Sequence, residues 1–175
     1  MRKIIAIILP VILLAACHLP HSISGAVTAT ANSHNCYFNW ASQPLPALSA
    51  NIQAAINAAG LKDVSTNAQA YGENCYDSQT NKPVRFSTLE TDFYFTVKVA
   101  DLTNRSNLGN LLEKILIVLD TIPPGKIPGP QPGKIVVSFQ AGNQDLNLTF
   151  TVAAWKSARL QGLHEAPLFD KLQHK

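Results

Sequence analysis

The sequence predicts an α+β domain built on a four-stranded antiparallel sheet with helices packed on one face, in the order αββαββ(α). Two segments carry apolar residues at helical spacing, which is the pattern of a helix with one buried face. Segment 85–99 alternates apolar and polar residues, as a strand does. Two further alternating segments flank Gly142-Asn143 and predict a hairpin.

The first helix is predicted between Pro46, which fits the first turn of a helix, and Gly60, which fits its end. Its apolar stripe consists of Leu48, Ile52, Ile56 and Ala59. Upstream of this helix, the first core contacts of the domain are expected from Tyr37, Phe38 and Trp40.

Two strands follow the first helix. Segment 64–76 alternates in part, and the turn-forming composition of residues 77–83 separates it from the strand over 85–99. In the second strand one face is apolar and consists of Leu89, Phe93, Phe95, Val97 and Val99. The other face is polar and consists of Glu90, Asp92, Tyr94, Thr96 and Lys98. Such a strand is typical of an antiparallel sheet with one covered face.

The second half of the chain begins with a strongly apolar helix over 106–122. The proline- and glycine-rich segment 122–133 predicts a stiff surface loop, because proline interrupts helices and inner strands. A hairpin over 134–152 and a third helix over 153–163 follow. The tail is expected to dock through Leu168, Phe169 and Leu172.

The amino terminus has the pattern of an export signal. Arg2 and Lys3 precede an apolar run, and small residues lead to Cys17. The sequence Leu14-Ala15-Ala16-Cys17 resembles the lipobox of bacterial lipoproteins. That resemblance implies cleavage before Cys17, attachment of lipid to its thiol, and anchoring on the extracytoplasmic side of a bacterial membrane. The alternative is a plain signal peptide with a chance cysteine.

The predicted organisation is therefore a signal peptide over 1–16, a flexible tether over 17–34 and a single α+β domain over 35–175. Blocks 71–77 and 128–133 resemble those of uncharacterised bacterial lipoproteins, a likeness that implies no activity. Removal of the signal leaves 12 basic and 11 acidic residues. This near balance argues against a nucleic-acid partner, which usually needs a basic face.

Cys36 and Cys75 remain once Cys17 carries lipid. Two cysteines in an exported chain most often pair, so a disulfide is expected. A bridge across this loop would stabilise the fold by about 4 kcal/mol in the chain-entropy model. Two buried free thiols are the alternative.

No set of residues in the sequence predicts a reaction, a metal site or a cofactor. Segment 125–134 superficially resembles a phosphate-binding loop, but the required first glycine is Pro128 and the Ser or Thr after the lysine is Ile135. The best remaining candidate is an acidic binding site of Glu73, Glu90, Asp92 and Tyr94, in which neighbouring carboxylates could hold a cation or shift a pKa. The alternative is an ordinary solvated face of the sheet.

The function expected from these observations is that of a membrane-anchored binding or assembly module, with an envelope protein or a glycan as partner. One alternative is a carrier of an apolar ligand or lipid beneath helix 106–122, over Phe93, Phe95 and Phe139. An enzyme using Glu73, Glu90 and Asp92 is a third, weaker hypothesis.

Overall fold

Five strands form one mixed sheet in the computed structural model, which describes residues 35–173. The strands are β1 (Cys36–Pro44), β2 (Val64–Asp77), β3 (Pro83–Lys98), β4 (Gln131–Ala141) and β5 (Gln144–Thr151). The helices are α1 (Pro46–Ala58), α2 (Arg105–Asp120), α3 (Val152–Leu160) and α4 (Glu165–Gln173), with a short 3₁₀ turn at Pro124–Lys126. The leader, Cys17 and the tether predicted for residues 1–34 lie outside the described residues.

The α+β class is confirmed, but the predicted four-stranded antiparallel sheet in the order αββαββ(α) is wrong. The sheet has five strands in the spatial order β1-β2-β3-β4-β5, and β3 and β4 run parallel. The sequence order of the described elements is βαββαββαα, without the 3₁₀ turn. The error has two sources: the strand β1 was not recognised, and two antiparallel hairpins were assumed to lie side by side.

The parallel β3–β4 pair follows from the helix that connects the two strands. Phe93 pairs with Ile135 and Val97 with Phe139, so residue numbers rise together along both strands. Parallel neighbours require a long crossover, and α2 supplies it. Its buried residues are Leu108, Gly109, Leu112, Ile115, Leu116, Val118 and Leu119. A helix this apolar has to be covered, and it packs on the sheet that its own flanking strands form.

One face of the sheet carries the core. Its buried residues include Ala68 of β2, Phe93 and Phe95 of β3, Val137 of β4 and Leu148 of β5. These residues belong to one cluster with buried residues of α1, α2, α3 and α4. The expected docking of the tail through Leu168, Phe169 and Leu172 is confirmed, and these residues lie on α4.

The segment predicted to be a surface loop is shorter than expected. The 3₁₀ turn at Pro124–Lys126 interrupts it, and β4 begins inside it at Gln131. The hairpin of β4 and β5 turns at Gly142, whose φ of +59° lies in the left-handed region that glycine adopts without strain.

Helix α4 approaches α2 closely at one glycine. A Cβ atom built on Gly109 would lie 2.0 Å from the backbone oxygen of Glu165, which no real contact permits. Glycine at this position therefore lets the start of α4 rest directly on the backbone of α2. None of the helices within residues 35–173 combines the length and the apolarity that a membrane crossing requires.

We expect Gly109→Ala to lower the free energy of unfolding by about 1–3 kcal/mol, because the added methyl group has to push α4 away from α2. Urea unfolding of the leaderless chain with Cys17→Ser, followed by tryptophan fluorescence, measures the change. The control is the next residue, exposed Asn110. Asn110→Ala should leave stability unchanged or raise it by up to about 0.7 kcal/mol through helix propensity. Equal effects of the two variants would contradict the close approach.

Candidate functional site

A group of exposed aromatic side chains marks one edge of the sheet. Tyr37, Phe38 and Trp40 of β1 are 42%, 49% and 61% exposed, and Tyr71 of the neighbouring strand β2 is 38% exposed. We call these four residues the aromatic edge. Single exposed apolar residues are common on protein surfaces, but a cluster of large aromatic ones more often marks a contact surface.

The strand that carries the aromatic edge has an unpaired side. β1 pairs with β2, and no strand within residues 35–173 lies on its other side. Its nine residues include no charged side chain. Soluble proteins usually protect an edge strand with a charge, a bulge or a covering segment, because its free backbone groups attract other strands. The one proline of β1 is its last residue, Pro44, so proline protects just that end of the strand.

Ring stacking holds part of the aromatic edge in place. The Trp40 and Tyr71 rings lie nearly parallel, with an interplanar angle of 3° and centroids 5.4 Å apart. Tyr37 stacks on Tyr76 at the same centroid distance, with an interplanar angle of 13°. The hydroxyl of Tyr37 also donates a hydrogen bond to the side-chain oxygen of Asn81. These contacts position three of the four rings before any partner arrives.

The expectation that Tyr37, Phe38 and Trp40 make the first core contacts is wrong, because all three are exposed. Aromatic residues at the start of a domain suit a buried core as well as an exposed strand. The one edge signal in this segment is Pro44 at its end, because proline within sheets is confined to edge strands, strand ends and bulges.

The two cysteines lie where β1 meets β2. Cys36 begins β1, and Cys75 lies directly opposite Phe38 in β2. The predicted pair is confirmed as one that can form a disulfide, with Cα atoms 5.3 Å apart. Because Cys75 is buried on β2, the bond would attach the first residue of β1 to a buried position of the neighbouring inner strand.

The polar face of the sheet, opposite the helices, begins beside the aromatic edge. On it Tyr71 pairs with Glu90, Gln69 with Asp92 and Asn67 with Tyr94. The predicted acidic residues Glu90 and Asp92 thus face Tyr71 and Gln69 on β2. Glu73 instead pairs with Trp40 on one side and with Ser87 on the other, beyond a bulge between Tyr71 and Gly72.

Asp92 is bound into the backbone of the sheet. Its Oδ1 atom accepts a hydrogen bond of 2.8 Å from the backbone N–H of Lys134, and the residue is only 9% exposed. This bond lies where the β3–β4 register shifts between Thr91 and Phe93. A Cβ atom on Gly133 would come within 2.6 Å of the same carboxylate oxygen. The geometry therefore gives Asp92 a structural role, which is to satisfy an amide at this irregularity.

Tyr94 is the group of the polar face whose ionisation is altered. Partial burial raises the pKa of its hydroxyl above the ordinary 10.0, and the charge and hydrogen bond of Asp92 and the charge of Glu90 raise it further. The side chains of Tyr94, Asp92 and Glu90 therefore interact electrostatically. Within residues 35–173, however, no group of three or more His, Cys, Asp and Glu side chains is suited to bind a metal ion.

No protein-family model, curated protein or solved structure matches this chain.

The raised pKa of Tyr94 predicts a loss of stability at high pH. The unfolded tyrosine ionises near 10, so stability is complete below that pH and falls as the pH rises through the folded pKa. Ultraviolet difference spectroscopy of tyrosinate should show that Tyr94→Phe removes a component that titrates above 10. Tyr76→Phe is the control. A component that titrates at or below 10 and disappears with Tyr94 would contradict this environment.

Proposed function

We propose that this chain is an exported lipoprotein, anchored by lipids on Cys17, whose domain is a non-enzymatic binding or assembly module of the bacterial cell envelope. The sequence Leu14-Ala15-Ala16-Cys17 after a basic start and an apolar run supports the anchor. Two or more acyl chains hold a protein stably on a membrane, and a lipoprotein cysteine would supply them. The Cys36–Cys75 pair supports export, because disulfides persist in oxidising compartments.

The aromatic edge carries the binding proposal. An extended segment of another envelope protein adds to β1 as a further strand and uses its free backbone groups for hydrogen bonds. Side chains on both faces of β1 then contact the new strand, because residues alternate between the faces. Cross-strand pairs of aromatic residues contribute about 0.2–1 kcal/mol each.

The backbone of β1 favours a protein over a glycan as the partner. Its unpaired side in the described part of the chain offers the regular donors and acceptors that an added strand requires. Stacking of Trp40 on Tyr71 and of Tyr37 on Tyr76 occupies one face of each of these rings.

The anchor predicts the fate of a cysteine variant. Cys17→Ser should give a product without lipid, because no thiol is then available for its attachment. Intact-mass measurement of the membrane fraction checks this in both proteins, and the wild type should carry an added diacylglycerol on Cys17. The double variant Cys36→Ser with Cys75→Ser is the control and should stay membrane-bound. An unmodified Cys17 in the wild type would remove the anchor from the proposal.

The binding proposal predicts site-specific cross-links in cells. A photoreactive benzoylphenylalanine in place of Trp40 should give cross-linked products that are absent when it replaces Leu160, a residue 90% exposed on α3. Phe38→Lys in the same chain should suppress these products, because a charge on an edge strand opposes pairing. Leu160→Lys is the matched control for this change.

The mass of the product identifies its source. A product of twice the chain mass identifies a second copy as the partner, and any other product is identified by mass spectrometry. The same products from both positions, or none from position 40, would contradict docking at the aromatic edge.

A further inference from the structure

A half-open apolar cleft lies on the helix side of the sheet, away from the aromatic edge. Its volume is about 250 Å³. The end of α2, the proline-rich segment before β4 and the start of α3 enclose it. The apolar residues of its lining include Phe93, Leu119, Ile122, Ile127, Val152 and Trp155.

The size of the cleft restricts what it can hold. An apolar cavity of about 150 Å³ is sufficient for benzene. A cleft of 250 Å³ therefore accommodates one or two rings or a medium-length aliphatic chain, and it is too small for a two-chain membrane lipid. Phe95 and Phe139 are not among its lining residues.

The charges at the cleft favour an anion. Lys156 belongs to the lining and forms no ion pair with any residue of segment 35–173. Asp120 also belongs to the lining, but its Oδ2 atom already accepts hydrogen bonds from Arg159 at 2.6 Å and from the indole N–H of Trp155 at 3.2 Å. Arg159 therefore neutralises the acidic residue of the lining, Asp120, whereas the positive charge of Lys156 can interact with a bound anion.

The start of α3 lies at the cleft. Val152, Trp155 and Lys156 lie in its first turns and all line the cleft. The amino-terminal end of a helix carries a partial positive charge that attracts anions. This end is capped, because the N–H of Ala154 donates to the hydroxyl of Thr151. The end of α2 is capped as well, because the N–H and hydroxyl groups of Thr121 donate to carbonyls of its last turn. Lys156 therefore carries the preference for an anion.

We propose that this cleft binds a small amphiphilic anion, with its apolar body between Phe93, Ile122 and Trp155 and its carboxylate beside Lys156. The ligand class is an aromatic or medium-chain aliphatic monocarboxylate. This site is independent of the aromatic edge, since it shares no residue with it.

Trp155 provides the readout, because it is one of two tryptophans in the chain and lines the cleft. Trp40→Phe makes it the single tryptophan. The chain over 17–175 with Cys17→Ser is suitable, because it keeps every described residue of the core and of the cleft. Octanoate below its micelle-forming concentration is the probe, and octylamine is the matched probe of opposite charge. Octanoate should shift the Trp155 emission saturably and bind more tightly than octylamine.

Two variants locate the site. Lys156→Gln should weaken octanoate binding about threefold to tenfold and leave octylamine binding no weaker, because only the anion loses a partner. Lys171→Gln, on the exposed side of α4, is the matched control and should change neither affinity. Val152→Phe narrows the cleft without adding a tryptophan and should weaken binding of both probes, with near-ultraviolet circular dichroism as the check on folding.

Each opposite result overturns the proposal. No saturable shift with octanoate would show that the cleft is not a binding site. Equal affinities for octanoate and octylamine, or an unchanged octanoate affinity in Lys156→Gln, would remove the preference for an anion. Undiminished binding in a folded Val152→Phe protein would place the probe elsewhere.

Discussion

The requirement to cover α2 determines most of this structure. The helix buries residues on more than one side, including Leu108, Leu112, Ile115 and Leu116, each 0% exposed. The sheet covers one side, and α4 covers another through the close contact at Gly109. Because α2 leaves the end of β3 and leads to β4, its packing on the sheet brings β4 alongside β3 in parallel. β5 then extends the sheet on the far side of β4, so β1 is left as the opposite edge.

Both proposed sites follow from this arrangement. The strand β1 has no neighbour beyond it in the described part of the chain, and its aromatic residues lie outside the core that α2 organises. The cleft lies where α2 ends. The chain from Asp120 to Gln131 connects the end of α2 to the start of β4, and it passes beside Leu119 and Phe93, which line the cleft. Proline and glycine in that segment prevent it from filling the space as a regular helix.

The sequence was sufficient for the elements whose periodicity is strong. The stripe of α1 and the alternation of β3 identified both elements, because each buries one face and the spacing records which residues lie on it. The strand order could not be predicted in the same way. Alternation states which face of a strand is buried, but it does not state which strand lies beside it or in which direction. β1 was missed because uncharged aromatic residues suit both a core and an exposed edge.

The candidate site was predictable in the same partial sense. Alternation correctly placed Glu90, Asp92 and Tyr94 on one face, which the pairing with Tyr71, Gln69 and Asn67 reproduces. The bulge after Tyr71 could not be read from the sequence, although it determines that Glu73 lies opposite Ser87. The bond from Asp92 to the amide of Lys134 depends on a register shift between two strands distant in the chain. Neither the bulge nor this hydrogen bond produces a pattern of residues that can be recognised in a short segment of the sequence.

The parallel β3–β4 pair is the claim on which the cleft and the covering of α2 depend. Nuclear Overhauser effects between backbone protons of the two strands measure it directly. We expect contacts that join Phe93 to Ile135, Phe95 to Val137 and Val97 to Phe139, with residue numbers rising together. Contacts in which the numbers on one strand rise while those on the other fall would show an antiparallel pair and would contradict the account.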